Sequence, residues 1–213
     1  MKFKISDAFR FGWNVFKQDY VFLITLLLII FAVNILLFLM QSGVSSDPLI
    51  LALLFIHIAI IVVVYIGIVK ISLNYTYNIE SHYNDLFNHA HYAFKFFIAN
   101  VLYLLLVVAG LILLIIPGIY WAMKYSQINY FIIDKDMDPI EAFKASGKVT
   151  YNAKMDLFLF YLSFLGLTIL SVVTFFLGLI ILIPVLYIAQ AFIYRELVRN
   201  TKTTDDEQYI TET

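Results

Sequence analysis

Long apolar runs alternate with short polar segments along this chain. A membrane-spanning helix needs about 20 consecutive apolar residues, within a range of about 17–25. The runs are Tyr20–Met40, Leu49–Val69, Phe96–Ile116, Gly118–Ile133, Leu157–Leu177 and Gly178–Leu197. Five are long enough, whereas the fourth is short and contains Lys124, Gln127 and Asn129. The pattern predicts an all-α integral membrane helical bundle of about six transmembrane helices.

Composition supports this class. Of 213 residues, 62% are hydrophobic and 14% are charged, whereas soluble domains are roughly half apolar and about a quarter charged. The net charge of −1 creates no overall field for nucleic acid, so we expect no nucleic-acid partner. The absence of cysteine excludes disulfides, cysteine metal sites and thiol catalysis.

Basic residues occur in alternate connections between the apolar runs. They precede the first run, flank the loop after the second, separate the fourth from the fifth and follow the sixth. If Gly118–Ile133 crosses the membrane, every basic residue except Lys124 lies on one side, as the positive-inside rule requires. We therefore expect a multi-pass protein of the cell (inner, cytoplasmic) membrane with six crossings and cytoplasmic N- and C-termini. The first run is too long for a signal peptide and is read as a retained span.

Three of the polar segments share a pattern, because each places an acid two residues before a phenylalanine. The pairs are Asp7 with Phe9, Asp85 with Phe87, and Glu141 with Phe143. On a helix, each segment forms an amphipathic face suited to the membrane interface. We predict one transmembrane domain over 1–198 with repeat units 5–79, 81–134 and 138–198; chance similarity between apolar segments is the alternative. The polar segment 199–213 is predicted to be a disordered tail.

The second half also carries a family pattern. Its parts are Leu113–Tyr120 with Pro117-Gly118, Ile133-Asp134, Pro139–Ser146 and Tyr194–Leu197. Together they resemble the membrane domain associated with glycerophosphoryl diester phosphodiesterases and related multi-span bacterial proteins of unassigned function. Gly67 and the segment 85–87 are similar to that domain's middle section. The resemblance implies a helical membrane module, and it implies no phosphodiesterase activity because the catalytic barrel is not found in this sequence.

Lys124 is the sharpest candidate for function, because an ionisable residue within a span is costly and marks a site or a specific partner. Tyr120, Lys124 and Gln127 fall at i, i+4 and i+7 on one helix face. That face suits an anionic ligand such as a lipid phosphate. The alternative is a buried lysine satisfied by neighbouring helices, or a segment that is only partly inserted.

Other polar residues offer weaker candidates. His82, Asp85 and His89 are a weak metal candidate at i, i+3 and i+7 of a helix, and the solvated face of an interfacial helix is the alternative. No nucleophile elbow, phosphate-binding loop or zinc-protease motif is present, so we expect no enzyme activity, no catalytic residue and no cofactor. Interhelical hydrogen bonds are expected for the polar residues of the spans, which are Asn34, His57, Asn100 and Gln190.

Two functional hypotheses follow. The leading one is a non-enzymatic membrane module that organises lipid or a membrane protein partner, since its basic amphipathic segments would attract the anionic headgroups of the bilayer. The alternative is a small transporter or channel that uses the face of Tyr120, Lys124 and Gln127. The absence of a carboxylate in mid-span counts against ion-coupled transport.

Overall fold

The computed structural model describes residues 3–42, 47–173 and 177–211. Within this part of the chain almost all secondary structure is α-helical and no strand occurs, which confirms the all-α class. The helices are α1 (Ile5–Ser42), α2 (Asp47–Tyr77), α3 (Ala93–Leu113), α4 (Ile115–Lys124), α5 (Ile128–Lys135), α6 (Pro139–Val149), α7 (Lys154–Val173) and α8 (Leu177–Thr211).

Five stretches are long and apolar enough to cross a membrane. They are Ile5–Ser42, Pro48–Tyr77, Tyr83–Leu113, Lys154–Val172 and Gly178–Thr201. In their most apolar windows between 11% and 44% of residues are buried, so most of these side chains face outward. Contiguous apolar surface of this extent marks contact with lipid rather than water. The protein is therefore a multi-pass membrane helical bundle.

The fourth apolar segment is divided rather than continuous. The sequence predicts one span over Gly118–Ile133, whereas α4 has 10 residues and α5 has 8. At 1.5 Å per residue their lengths are only about 15 Å and 12 Å, so neither spans a bilayer alone.

Together, however, α4 and α5 lie antiparallel to α3 and contact it along most of its length. The contacts follow antiparallel order along the two segments. Near the end of α3, Gly110 packs against Gly118, and further back Tyr103 Oη donates to the Ala122 carbonyl (3.3 Å). Towards the start of α3, Asn100 Nδ2 donates to Asn129 Oδ1 (3.0 Å) and Lys95 Nζ lies 2.9 Å from Asp136 Oδ1. The divided segment thus covers the same distance as α3.

The three amphipathic segments differ in conformation. The first is the start of α1, which kinks at Asp19 (φ −123°, ψ 32°) before the apolar part begins. The third is α6, with Pro139 in its first turn as expected. The second is not an α-helix but two 3-10 turns, Tyr83–Leu86 and Ala90–Tyr92. The threefold repeat stays a prediction.

A carboxylate joins α2, α5 and α8. Asp134 Oδ2 accepts hydrogen bonds from Tyr194 Oη (2.8 Å) and Tyr77 Oη (3.2 Å), and lies 3.2 Å from Lys135 Nζ. The Arg195 guanidinium stacks over the Tyr77 ring at 4.7 Å. Two motif elements separated by about sixty residues, Ile133-Asp134 and Tyr194-Arg195, are therefore in direct contact.

The ends of the hairpins are only partly described. The turn expected over Gln41–Pro48 includes residues 43–46, and the turn expected near Gly178 includes residues 174–176; both ranges lie outside the described residues. Helix α8 continues to Thr211. The backbone of 199–211 is thus helical where the sequence predicted a disordered tail, and 212–213 lie outside the described residues.

Candidate functional site

The break between α4 and α5 is stabilised by side chains of α6. Ser146 Oγ donates to the Lys124 carbonyl (2.9 Å) and accepts from the Gln127 backbone N–H (3.2 Å). Thr150 Oγ1 lies 2.9 Å from the same carbonyl, and both hydroxyl residues are fully buried. A helix end leaves backbone groups without partners, which is costly away from water. These hydroxyls supply the missing partners.

The structure brings together two of the three predicted ligand residues. Tyr120 and Lys124 are neighbours one turn apart on α4. Gln127 is not on their face, because α4 ends at Lys124 and the regular helical register is lost in the turn that follows. Its side chain is fully buried, with Nε2 donating to Ser126 Oγ (2.9 Å) and Oε1 without a hydrogen-bond partner. Gln127 therefore does not continue a regular helical face with Tyr120 and Lys124, and its part in ligand binding stays a prediction.

Lys154, which the sequence analysis did not single out, contacts the Tyr120 ring from the start of α7. Its Nζ lies 4.8 Å from the ring centroids of both Tyr120 and Tyr151, and it donates to the Tyr151 carbonyl (2.7 Å). Lys124 Nζ lies 5.1 Å from the Tyr125 centroid. Such cation–π contacts hold an ammonium in place without neutralising it. We name these five residues the Lys124/Lys154 surface.

The lysines of this surface differ from Lys95 and Lys135 in their electrostatic environment. In the part of the chain that the structure describes, neither Lys124 nor Lys154 has a carboxylate within ion-pair distance. In contrast, Lys95 pairs with Asp136 (2.9 Å) and Asp138 (3.1 Å). Two positive charges therefore remain without counter-charge beside exposed tyrosine rings, an arrangement that attracts an anion.

In the weak metal candidate of His82, Asp85 and His89, the Asp85 carboxylate accepts hydrogen bonds from the protein itself. Because the segment forms 3-10 turns, His82, Asp85 and His89 do not share an α-helical face. Asp85 Oδ2 instead accepts from the His82 backbone N–H (3.0 Å) and from Asn74 Nδ2 (3.4 Å). Among the described residues, no three His, Asp or Glu side chains gather in a group suited to a metal ion.

The polar residues of the spans form the expected interhelical hydrogen bonds. His57 Nε2 lies 3.2 Å from Asn34 Oδ1, joining α1 to α2. Gln190 Nε2 donates to Tyr161 Oη (2.6 Å), joining α8 to α7. With the Asn100 bond to Asn129 described above, this confirms the prediction for all four residues.

Comparison with known proteins places the chain in a family without assigning an activity. No curated protein and no solved structure matches it. Residues 79–201 match the family described as "Protein of unknown function (DUF975)". The match includes the break, the contact of Asp134 with Tyr194 and the Lys124/Lys154 surface, whereas Tyr77 lies just outside it. It shows no link to glycerophosphoryl diester phosphodiesterases. Since more than half of the chain is matched, the protein belongs to the DUF975 family.

Proposed function

We propose that this protein is a non-enzymatic membrane module that binds an anionic phospholipid headgroup at the Lys124/Lys154 surface. The observation that carries the proposal is the pair of lysines without carboxylate partners, held among tyrosine rings. A phosphate offers several acceptor oxygens, and charge-assisted hydrogen bonds to ammonium groups are short and strong.

The surroundings of this surface favour a lipid over a soluble anion. Tyr120 and Tyr151 are 45% and 70% exposed, and the neighbouring Met155 is 69% exposed. Tyrosine and lysine are typical of the region between headgroups and acyl chains. Further exposed basic residues on the amphipathic segments add to the attraction of an anionic leaflet, at about 1 kcal/mol per residue near the membrane surface. They are Lys4, Arg10, Lys17 and Lys144.

Removing both lysines tests the proposal. We expect Lys124→Gln combined with Lys154→Gln to reduce retention of phosphatidylglycerol at least about tenfold, because two lysines contribute roughly 2 kcal/mol. Native mass spectrometry of the purified protein, loaded with phosphatidylglycerol or with uncharged diacylglycerol, measures the retained lipid. Diacylglycerol retention should not change.

The matched control removes two lysines that have carboxylate partners. Lys95→Gln with Lys135→Gln changes the net charge by the same amount, but it removes lysines that already pair with Asp136, Asp138 and Asp134. If this control loses as much phosphatidylglycerol as the test variant, binding reflects overall charge and the assigned surface is rejected. Free phosphate that competes as well as the lipid would reassign the site to a soluble anion.

We propose that the protein lies in the inner (cytoplasmic) membrane, crosses it six times and has both termini in the cytoplasm. The course of α4 and α5 along most of α3 supports a crossing by the divided segment. A topology reporter fused after Pro139 is expected to report a cytoplasmic position, and one fused after Ser42 an external one. An external signal after Pro139 would overturn six crossings.

A small transporter or channel is the second candidate. The observation that favours it is the break between α4 and α5, because discontinuous helices surround the binding sites of many transporters. Lys124→Met separates the two candidates: loss of solute flux in proteoliposomes by a folded variant supports a pathway, and unchanged flux supports the lipid module. A membrane protein partner also belongs to the proposal, and the resemblance noted above is consistent with such a helical module.

A further inference from the structure

A polar cavity of about 260 Å³ lies beside the break. Six helices of the bundle contribute to its lining, α2, α3, α4, α5, α7 and α8, together with the turn between α4 and α5. Its lining residues are Tyr65, Asn100, Tyr103, Ala122, Met123, Tyr125, Ser126, Ile128, Asn129, Tyr161 and Gln190. Since a water molecule occupies about 30 Å³ in the liquid, the volume holds roughly eight waters or one small organic molecule.

The lining is polar but carries no charge. It combines tyrosine hydroxyls, three side-chain amides and one serine hydroxyl with a few apolar groups, and it contains no Asp, Glu, Lys, Arg or His. Hydroxyl and amide groups both donate and accept hydrogen bonds. The cavity is partly open, so a charged molecule would lose part of its hydration here without meeting a counter-charge, which is more costly than the burial of a neutral polar molecule.

Several lining side chains are already fixed by the protein. Asn100 and Asn129 bond to each other in both directions (3.0 and 3.3 Å), and Asn100 Nδ2 also donates to the Phe96 carbonyl (2.8 Å). Tyr103 Oη is held by the Ala122 carbonyl (3.3 Å). Such a preformed lining loses little conformational entropy when a ligand binds.

Gln190 keeps hydrogen-bonding capacity for a ligand. Its Nε2 donates to Tyr161 Oη at 2.6 Å, which leaves a second N–H and the carbonyl oxygen. Within the described residues that oxygen accepts no hydrogen bond, and it is not among the buried unsatisfied atoms. The amide therefore has both a donor and an acceptor available.

The break contributes directly to the lining of this cavity. Irregular backbone at membrane depth is stable only where protein groups or a water-filled cavity satisfy it. On the α6 side the partners are Ser146 and Thr150. On the other side, Ser126 of the turn lines the cavity and bonds to the Met123 carbonyl (2.9 Å).

We propose that the cavity binds a small uncharged polyhydroxylated molecule, whose hydroxyls bond to the amide of Gln190 and the hydroxyls around it. Lys124 and Lys154 do not line the cavity, although the Tyr125 ring belongs both to its lining and to the Lys124/Lys154 surface. The two sites therefore adjoin, and the experiments below use Ser126 and Gln190, which are not part of the proposed lipid surface.

A reporter thiol tests the site. The chain has no cysteine, so Ser126→Cys places a single thiol in the cavity with minimal change of volume. Its labelling rate is measured with three methanethiosulfonates, the neutral methyl reagent, the anionic sulfonatoethyl reagent and the cationic trimethylammonium-ethyl reagent, in the presence and absence of erythritol. Ser6→Cys, at an exposed residue of α1, is the control for intrinsic reagent reactivity and for viscosity.

We expect the neutral reagent to label Ser126→Cys, both charged reagents to label it at least about tenfold more slowly relative to Ser6→Cys, and erythritol to slow labelling only at position 126. Equal relative rates for charged and neutral reagents would overturn the proposal, as would a thiol that no reagent reaches. Labelling without protection by erythritol would mean that the cavity holds water only, which also overturns it.

A second variant assigns the ligand contact. Gln190→Leu in the Ser126→Cys background removes the free amide, so it should abolish protection by erythritol while the neutral reagent still reacts. If erythritol still protected the thiol in this variant, Gln190 would not be a ligand contact. If this variant does not purify as a folded monodisperse protein, Tyr103→Phe, which deletes one lining hydroxyl, replaces it and is expected to weaken protection.

Discussion

Replacing Ser146 with alanine is expected to lower the free energy of unfolding by about 2–4 kcal/mol. The substitution removes the hydroxyl that joins the Lys124 carbonyl to the Gln127 N–H. The N–H is then left buried without a partner, which costs about 1–3 kcal/mol, and one hydrogen bond to the carbonyl is lost at a cost of about 0.5–1.5 kcal/mol. Unfolding in mixed micelles with increasing sodium dodecyl sulfate measures the change.

Ser163→Ala is the matched control. Ser163 is exposed on α7, and its hydroxyl donates to the Leu159 carbonyl (2.8 Å) of its own helix. That carbonyl already takes part in the helix, so the loss should stay within about 0.5 kcal/mol. Equal losses for the two variants would show that Ser146 does not hold the break.

Gly67→Ala is expected to destabilise the protein by about 3 kcal/mol. A Cβ atom on Gly67 would lie 2.4 Å from Leu86 Cα and 2.5 Å from the Leu86 carbonyl oxygen. Both are backbone atoms of the 3-10 turn that packs on α2, and Leu86 itself is buried. The turn would have to move away from the helix, because no side-chain rotation relieves the overlap.

Gly166→Ala, the same substitution on α7, should instead raise the free energy of unfolding. A Cβ there meets nothing within 4 Å, and alanine favours a helix over glycine by about 1 kcal/mol. Both variants are compared by the same unfolding assay. Stabilisation by both substitutions would contradict the close packing of the turn on α2.

Hydrophobic pattern and charge were sufficient to predict the fold class. The lipid-facing surface of a membrane helix requires only apolar composition and length, so the five long stretches could be recognised without any knowledge of their partners. The interhelical bonds of Asn34, His57, Asn100 and Gln190 could be predicted because a polar group in an apolar span has few other ways to be satisfied.

The break could not be predicted from its own residues. Tyr125, Ser126 and Gln127 include no glycine or proline, and the apolar pattern continues on both sides. The helix ends there because hydroxyls from α6 satisfy its backbone groups, and no local signal contains that information. The second amphipathic segment has the same difficulty, since its 3-10 turns depend on close packing against Gly67.

The Lys124/Lys154 surface could be predicted only in part from the sequence. Tyr120 and Lys124 share a helix face, and that spacing is visible in the sequence. Lys154 lies at the start of another helix, and only the tertiary arrangement of α4 and α7 brings its ammonium over the Tyr120 ring. The cavity lining likewise combines residues of six helices and one turn, so composition alone could not reveal it.

The capping of the break by α6 has a consequence for biosynthesis. Ser146 follows Lys124 by 22 positions, and a chain emerges from the ribosome from its N-terminus onward. When α4 and α5 first meet the translocation machinery, the side chains that satisfy their backbone have not yet emerged from the ribosome. The hydropathy of this segment therefore does not by itself determine its insertion. Its final placement waits for α6, so a truncation before residue 146 should leave the segment poorly integrated even though its own sequence is present.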